Sequence, residues 1–227
     1  MGIPDTRQYD WGREILKCVA VVTMTVDHVG LLFFPDVTVL RIIGRLAFPL
    51  FAYLLVLGMR STRDLRAYFN RLFFFALMSQ VPYALVNGVQ PWEKLNIFAT
   101  LILGMIMVYF IERSSLAFIV PLIASVVVPV DFGVYGTATV LLLYLIGKDW
   151  RMGSVIFVLI NLVLVLYGAT YQPFAILALP LMLMHDRGKL GIGSPEAQVK
   201  HPRLRKYFFY AYYPLHLTAL YALKVLV

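Results

Sequence analysis

Long blocks of apolar residues recur from one end of the chain to the other, and they constrain its fold more than any other feature. The blocks cover about 15–34, 40–58, 68–87, 95–111, 116–130, 133–147, 153–168, 172–184 and 207–226. A helix needs roughly 20 residues to cross a hydrocarbon core of about 30 Å, with a range of about 17–25. Blocks five to eight fall short of this, so their boundaries are soft and the count lies between eight and ten. In lipid a helix satisfies its own backbone N–H and C=O groups, which an open sheet cannot do. The expectation is an all-α, polytopic transmembrane helical bundle of about nine spans, forming a single domain over 1–227. Composition agrees: 61% of the 227 residues are apolar and 14% charged, against about 45–50% and about 25% in soluble domains. Since the blocks run along the whole sequence, a cleaved signal peptide does not account for them. The single Cys18 excludes an internal disulfide.

The net charge of +8 would suggest nucleic acid in a soluble protein. Here it sorts by loop instead. The N-terminus and every second loop hold sixteen of the 20 Lys and Arg residues, among them Arg13, Lys17, Arg60, Arg63, Arg66, Arg71, Arg113 and those of 185–206. This asymmetry predicts a cytoplasmic N-terminus, an outer C-terminus and an odd number of spans. The expected setting is the plasma (inner) membrane, multi-pass, with the lipid bilayer rather than nucleic acid as partner.

Ionisable groups at membrane depth are costly and mark function by default. Asp27 and His28 lie in the first block, about 18–20 Å from its cytoplasmic start at 1.5 Å per residue. Arg41 and Arg45 share a face of the second block, where Arg45 reaches a depth similar to that of Asp27. Asp27 is therefore expected to pair with Arg45 or Arg41, leaving His28 to face a cavity. Ser79, Gln80 and Tyr83 surround Pro82, which removes a backbone hydrogen bond and frees the Met78 carbonyl. Asn96 and Thr100 open the fourth block; Asp131, Tyr135 and Thr137 lie between the fifth and sixth. In the last block His216 follows Pro214 and Tyr213, about 14 Å from its cytoplasmic end. These groups come from separate blocks yet cluster between midplane and outer surface, which predicts one polar cavity opening outward and reaching His216. Gln80, Asn96 and Thr100 also suit interhelical hydrogen bonding, and the Tyr cluster 207–213 an interfacial belt.

No metal pattern is present, nor a Walker loop, GxGxxG or GxSxG. What remains is histidine acid–base or nucleophilic chemistry beside arginines and amides. A proton-coupled transporter would use the same groups as a relay, although no inverted repeat is visible. A structural membrane assembly subunit with a polar core is the third reading.

The runs LKCVAVVTMTVDHVG (16–30), RIIGRLAFPLFAYLLVLGMRSTR (41–63), RLFFFALMSQVPYALV (71–86), LNIFATLILG (95–104), DFGVYG (131–136) and KYFFYAYYPLHLTAL (206–220) resemble the TraX family in order and spacing. The resemblance covers almost the whole chain. It implies a bacterial integral membrane acetyltransferase, similar to proteins that acetylate the N-terminus of conjugative F-pilin, with acetyl-CoA as acyl donor. The acceptor, a peptide N-terminus or a small molecule or glycan, stays open. On this reading His28 is the first candidate for general base or acyl carrier and His216 the second, ordered by Asp27 with Arg45. Donor-binding candidates are Arg41, Arg60, Arg63, Ser79, Gln80, Tyr83, Asn96, Asp131, Tyr135 and Tyr213. The basic loops around Arg60, Arg63 and Arg66 and over 187–206 are expected to meet the donor's phosphates, if they serve more than topology.

Overall fold

A computed structural model describes residues 10–190 and 202–226, the side chains of 202–206 excepted. Arg7 and most of the basic 187–206 loop lie outside the described residues. The architecture is all-helical. The first helix, α1 (Trp11–Phe33), begins at Asp10, whose carboxylate accepts the Arg13 backbone N–H as a cap. The second apolar block divides into α2 (Thr38–Gly44) and α3 (Ala47–Ser61). At the division the Arg45 and Leu46 N–H groups bond back three residues, to Ile42 and Ile43. Pro49, in the first turn of α3, has no N–H for the Arg45 carbonyl. Continuous apolar sequence hides this break.

The next helices are α4 (Leu65–Asn87), capped by Asp64 and ended by Gly88 in the left-handed region (φ 66°), and α5 (Ile97–Glu112), capped by the Asn96 side chain. A 3-10 turn (Leu116–Phe118) leads into α6 (Ile119–Val127). Then come α7 (Gly133–Ile146) and α8 (Trp150–Val163), the latter extended by a 3-10 turn to Tyr167. A 3-10 stretch (Gln172–Leu177), α9 (Ala178–Asp186) and α10 (Pro202–Leu226) complete the chain. Thus 172–184, read as one block, is half 3-10.

Helix α1 packs on α2, α3 and α10; α10 packs on α4; and α5 and α3 both pack on α7. Leu16, Leu50, Leu72, Val140, Leu143, Phe157, Met182 and Leu217 fill the interior. At Gly104 a Cβ would lie 2.5 Å from that of Val140, so glycine sets the close approach of α5 and α7. Three helical stretches are long and apolar enough to cross a membrane: Trp11–Phe33, Thr38–Ser61 and Trp150–Tyr167. Outward faces carry Val22, Phe73, Phe74, Leu77, Ile123, Val126, Leu159 and Leu215, all exposed, a density of bare apolar side chains that suits lipid contact.

Candidate functional site

A cavity of about 960 Å³ runs along the inner faces of α1, α3, α4 and α10. Its wall changes character along its length. Near the start of α1 four cations, Arg13, Lys17, Arg63 and Arg71, outnumber two carboxylates, Asp10 and Glu14, beside Ser61, Thr62, Tyr68 and Tyr210. Lys17 pairs with Glu14 at 2.7 Å and Arg13 with Asp10 at 3.4 Å. Beyond them Phe51, Leu54, Leu55, Leu72, Phe98 and Leu101 form an apolar waist. Towards the end of α1 come Asp27, His28, Arg41, Arg45, Tyr83, Asn87, Lys94, Asp131 and Tyr213. The expected outward pocket is thus one end of a longer cavity. His216, 7% exposed, is not in its wall but directly behind His28.

Asp27 binds both arginines. Its Oδ2 is 2.9 Å from Arg41 Nη1 and its Oδ1 2.9 Å from Arg45 Nη2. Arg41 also donates to the Asp27 carbonyl (3.2 Å), and Arg45 Nε to the Arg41 carbonyl (3.3 Å). The break after Gly44 brings both guanidiniums to one carboxylate. Gly44 makes room for it: a Cβ there would sit 2.1 Å from Asp27 Oδ1. Two arginines against one aspartate leave one surplus positive charge beside His28.

The histidines form a directed chain. His216 Nδ1 lies 2.9 Å from the Tyr212 carbonyl, which only accepts, so Nδ1 carries the proton and Nε2 of the neutral ring is an acceptor. His28 Nδ1 is 3.1 Å from that Nε2 and therefore donates to it. The remaining nitrogen of His28, Nε2, is then a lone-pair acceptor, and the Met24 backbone one turn back also hydrogen-bonds the ring. The Tyr212 ring stacks on His216 (5.1 Å, 11°), and its hydroxyl meets Thr25 at 2.8 Å. Backbone and stacking thus fix the pair from behind.

A second polar cluster stands at the opposite end. His185 Nε2 is 3.2 Å from Asp10 Oδ2, and its Nδ1 is 3.2 Å from the Tyr53 hydroxyl. With Nε2–H donating to the carboxylate, Nδ1 accepts from Tyr53. The hydrogen bond from His185 holds Asp10 below the usual carboxylate range, against the opposing effect of its partial burial; the Arg13 N–H and nearby charges also lower it. Arg13 Nη1 continues the network to Ser61 Oγ (3.1 Å).

Among the residues singled out in the sequence, Asp27, His28, Arg41, Arg45, Arg63, Tyr83, Asp131 and Tyr213 line the cavity. Five do not. Arg60 donates to the Tyr144 carbonyl (2.9 Å) and lies over that ring, joining α3 to α7. Ser79 is fully buried and bonds back to the Phe75 carbonyl (2.6 Å). Gln80 ties the α4–α5 connection, donating to the Pro91 and Lys94 carbonyls and accepting from Asn96. Asn96 caps α5. Tyr135 donates to Asn161 Oδ1 (3.0 Å) and accepts from Gln172 (2.7 Å). Depth along a helix carries no azimuth, so the sequence reading had no means of separating these groups from those that face the cavity.

Lys17, Arg71, Lys94 and Asn87 are cavity residues that the sequence reading assigned to topology or passed over. For Lys17 a signal existed: eleven residues before His28, it falls within about 20° of the same helix face. Lys94 pairs with Asp131 at 3.0 Å. A parallel bridge of Leu95 to Val130 holds the two loops together.

No solved structure matches this chain. Among curated proteins, "Probable fimbrial assembly protein FimC, serogroup H1" of Dichelobacter nodosus is 27% identical, over 97% of this chain and 98% of its own length. "Protein TraX" of Escherichia coli is 35% identical over 45% of this chain and 42% of its own. Its counterpart in strain K12 is 33% identical over 45% and 42%. The TraX family, described as TraX protein, matches residues 12–224. With nearly its whole length inside that match, the chain belongs to the TraX family.

Proposed function

We propose that the protein is a multi-pass inner-membrane acyltransferase with a cytoplasmic N-terminus, which moves an acetyl group from acetyl-CoA to an amine or hydroxyl acceptor. The observation that carries this reading is the cavity joining a basic end to His28, whose Nδ1 is held by His216. Arg13, Lys17, Arg63 and Arg71 offer the donor's phosphates charged hydrogen bonds. Between Lys17 and His28 the α1 backbone rises about 16 Å, and the apolar waist there suits an extended pantetheine arm.

Chemically, His28 Nε2 takes the proton from the acceptor as its nitrogen or oxygen attacks the thioester carbonyl. The C–S bond then breaks, and the imidazolium returns that proton to the leaving thiolate. His216 keeps Nδ1 of His28 protonated and so presents Nε2 to the substrate. The surplus charge of Arg41 and Arg45 stabilises the oxyanion, in the way arranged donors do at other acyl-transfer sites. Asn96 and Gln80, bound up in the α4–α5 connection, are free for no such role. Asp131, Tyr83 and Asn87 shape the acceptor end. The family and the fimbrial-assembly name of one full-length relative support a surface-fibre subunit as the acceptor.

The test is acetyl transfer by protein purified in detergent, using labelled acetyl-CoA and a pilin N-terminal peptide or amine acceptor. His28→Ala is expected to lower turnover by at least about 100-fold, the lower range for general acid–base catalysis, with unchanged thermal unfolding. Wild-type turnover in that variant removes His28 from the reaction.

A further inference from the structure

Outside the main cavity, α4 and α5 diverge around a groove of about 440 Å³ lined by Leu65, Arg66, Phe69, Met105, Ile106, Tyr109 and Phe110. Its body is apolar. Its cationic groups stand at one end, where α4 starts and α5 finishes. Arg66 is exposed and forms no ion pair among the described residues. One turn beyond Tyr109, the Arg113 guanidinium lies 3.6 Å above that ring and donates to the Tyr109 carbonyl (3.2 Å). Stacking fixes the plane of the guanidinium and leaves its other N–H edges outward, an arrangement suited to phosphate oxygens. The acidic neighbours are Asp64 and Glu112; the Asp64 carboxylate is engaged in capping α4 at the Ala67 N–H (2.8 Å).

An apolar slot with two exposed arginines at one end suits a phospholipid with a net negative headgroup. We infer that the α4–α5 groove is a binding site for one anionic phospholipid, its acyl chain along Phe69, Met105 and Ile106 and its phosphate between Arg66 and Arg113. The site requires that the protein reside in a bilayer, but it is independent of acyl transfer. A zwitterionic lipid fills the same slot, but its ammonium group meets cations there. Selectivity is therefore expected to come from the two arginines, at about fivefold for each basic residue near a charged membrane surface.

Delipidated full-length protein in detergent, titrated with phosphatidylglycerol or with phosphatidylcholine of matched chains and read by native mass spectrometry, tests this. The expected result is one retained phosphatidylglycerol per chain, bound at least about fivefold more tightly than phosphatidylcholine. The double variant Arg66→Ala/Arg113→Ala should equalise the two lipids, and Met105→Trp should remove both by filling the slot. If Met105→Trp does not fold, Ile106→Trp serves in its place. Equal binding of both lipids by the wild type, or a preference that survives the double variant, overturns the proposal. Full competition by free glycerol phosphate overturns it as well, since the site would then recognise phosphate without lipid.

Discussion

His28 and His216 show how much one backbone carbonyl can determine. Because the Tyr212 oxygen cannot donate, the protons of both neutral rings have assigned positions, and His28 is the member of the pair that lines the cavity. Asp27 shows a similar economy, since one carboxylate orders two guanidiniums. This grouping changes how its stability is tested. Asp27→Leu leaves both arginines unbalanced and is expected to cost about 3 kcal/mol, the low end for a broken buried pair, because these side chains remain 16–25% exposed. Replacing Asp27 alone with Arg45 still strands Arg41. The triple change Asp27→Leu/Arg41→Leu/Arg45→Leu should therefore unfold at a higher temperature than Asp27→Leu. A triple variant no more stable than the single one would contradict the three-group arrangement. Asp27, His28 and the arginines were legible in the sequence because charge at membrane depth has few innocent explanations. Gln80, Asn96 and Tyr135 were not separable from them, since amides and hydroxyls at that depth also serve packing, and only the three-dimensional partners distinguish the two uses.

Element boundaries carry a mark in the sequence where a capping side chain stands, which blocks drawn from hydropathy at 68, 95 and 153 miss by two or three residues. They are obscure where one block runs through a break. Asp64, Asn96 and Asp149 all cap their helices by accepting backbone N–H groups. The α2–α3 division falls at Arg45, after Gly44, and the missing N–H at Pro49 contributes to it; the hydropathy of the block carries no trace of it. A second junction, between the start of α1 and the end of α9, depends on Asp10 and His185, residues 175 apart in sequence. Its pH dependence follows from the lowered pKa of Asp10. That carboxylate contributes stability above its ordinary value of 3.8, and the contribution is lost as pH falls through its lower folded value. Unfolding temperatures of wild type and Asp10→Asn should therefore differ at neutral pH and converge in acid below that ordinary value. Asn retains the helix cap, so the difference reports the contacts of the carboxylate with His185 and with the Arg13 guanidinium. No gap at neutral pH would show that Asp10 acts through the cap alone, and a gap that stays constant into acid would contradict the role of its charge.

At the scale of the whole molecule, hydropathy predicted helices and charge predicted an orientation. The donor's phosphates were expected at the basic loops, but neither pattern located the residues that line the passage from there to the polar cluster. Lys17 and Arg71 had been counted with the residues that set topology, a role any loop arginine fills; their cavity role arises because α1 and α4 face the same interior space. The central claim is that this space takes the donor from the basic end and presents its thioester to His28. Equilibrium binding of acetyl-CoA to purified wild type, Lys17→Ala/Arg71→Ala and His28→Ala tests it most directly. The account predicts that the double variant binds at least about tenfold more weakly, as loss of charged hydrogen bonds of about 1.5 kcal/mol or more implies, while His28→Ala binds like wild type yet transfers nothing. Undiminished binding by the Lys17→Ala/Arg71→Ala protein, or no binding by the wild type, would contradict it.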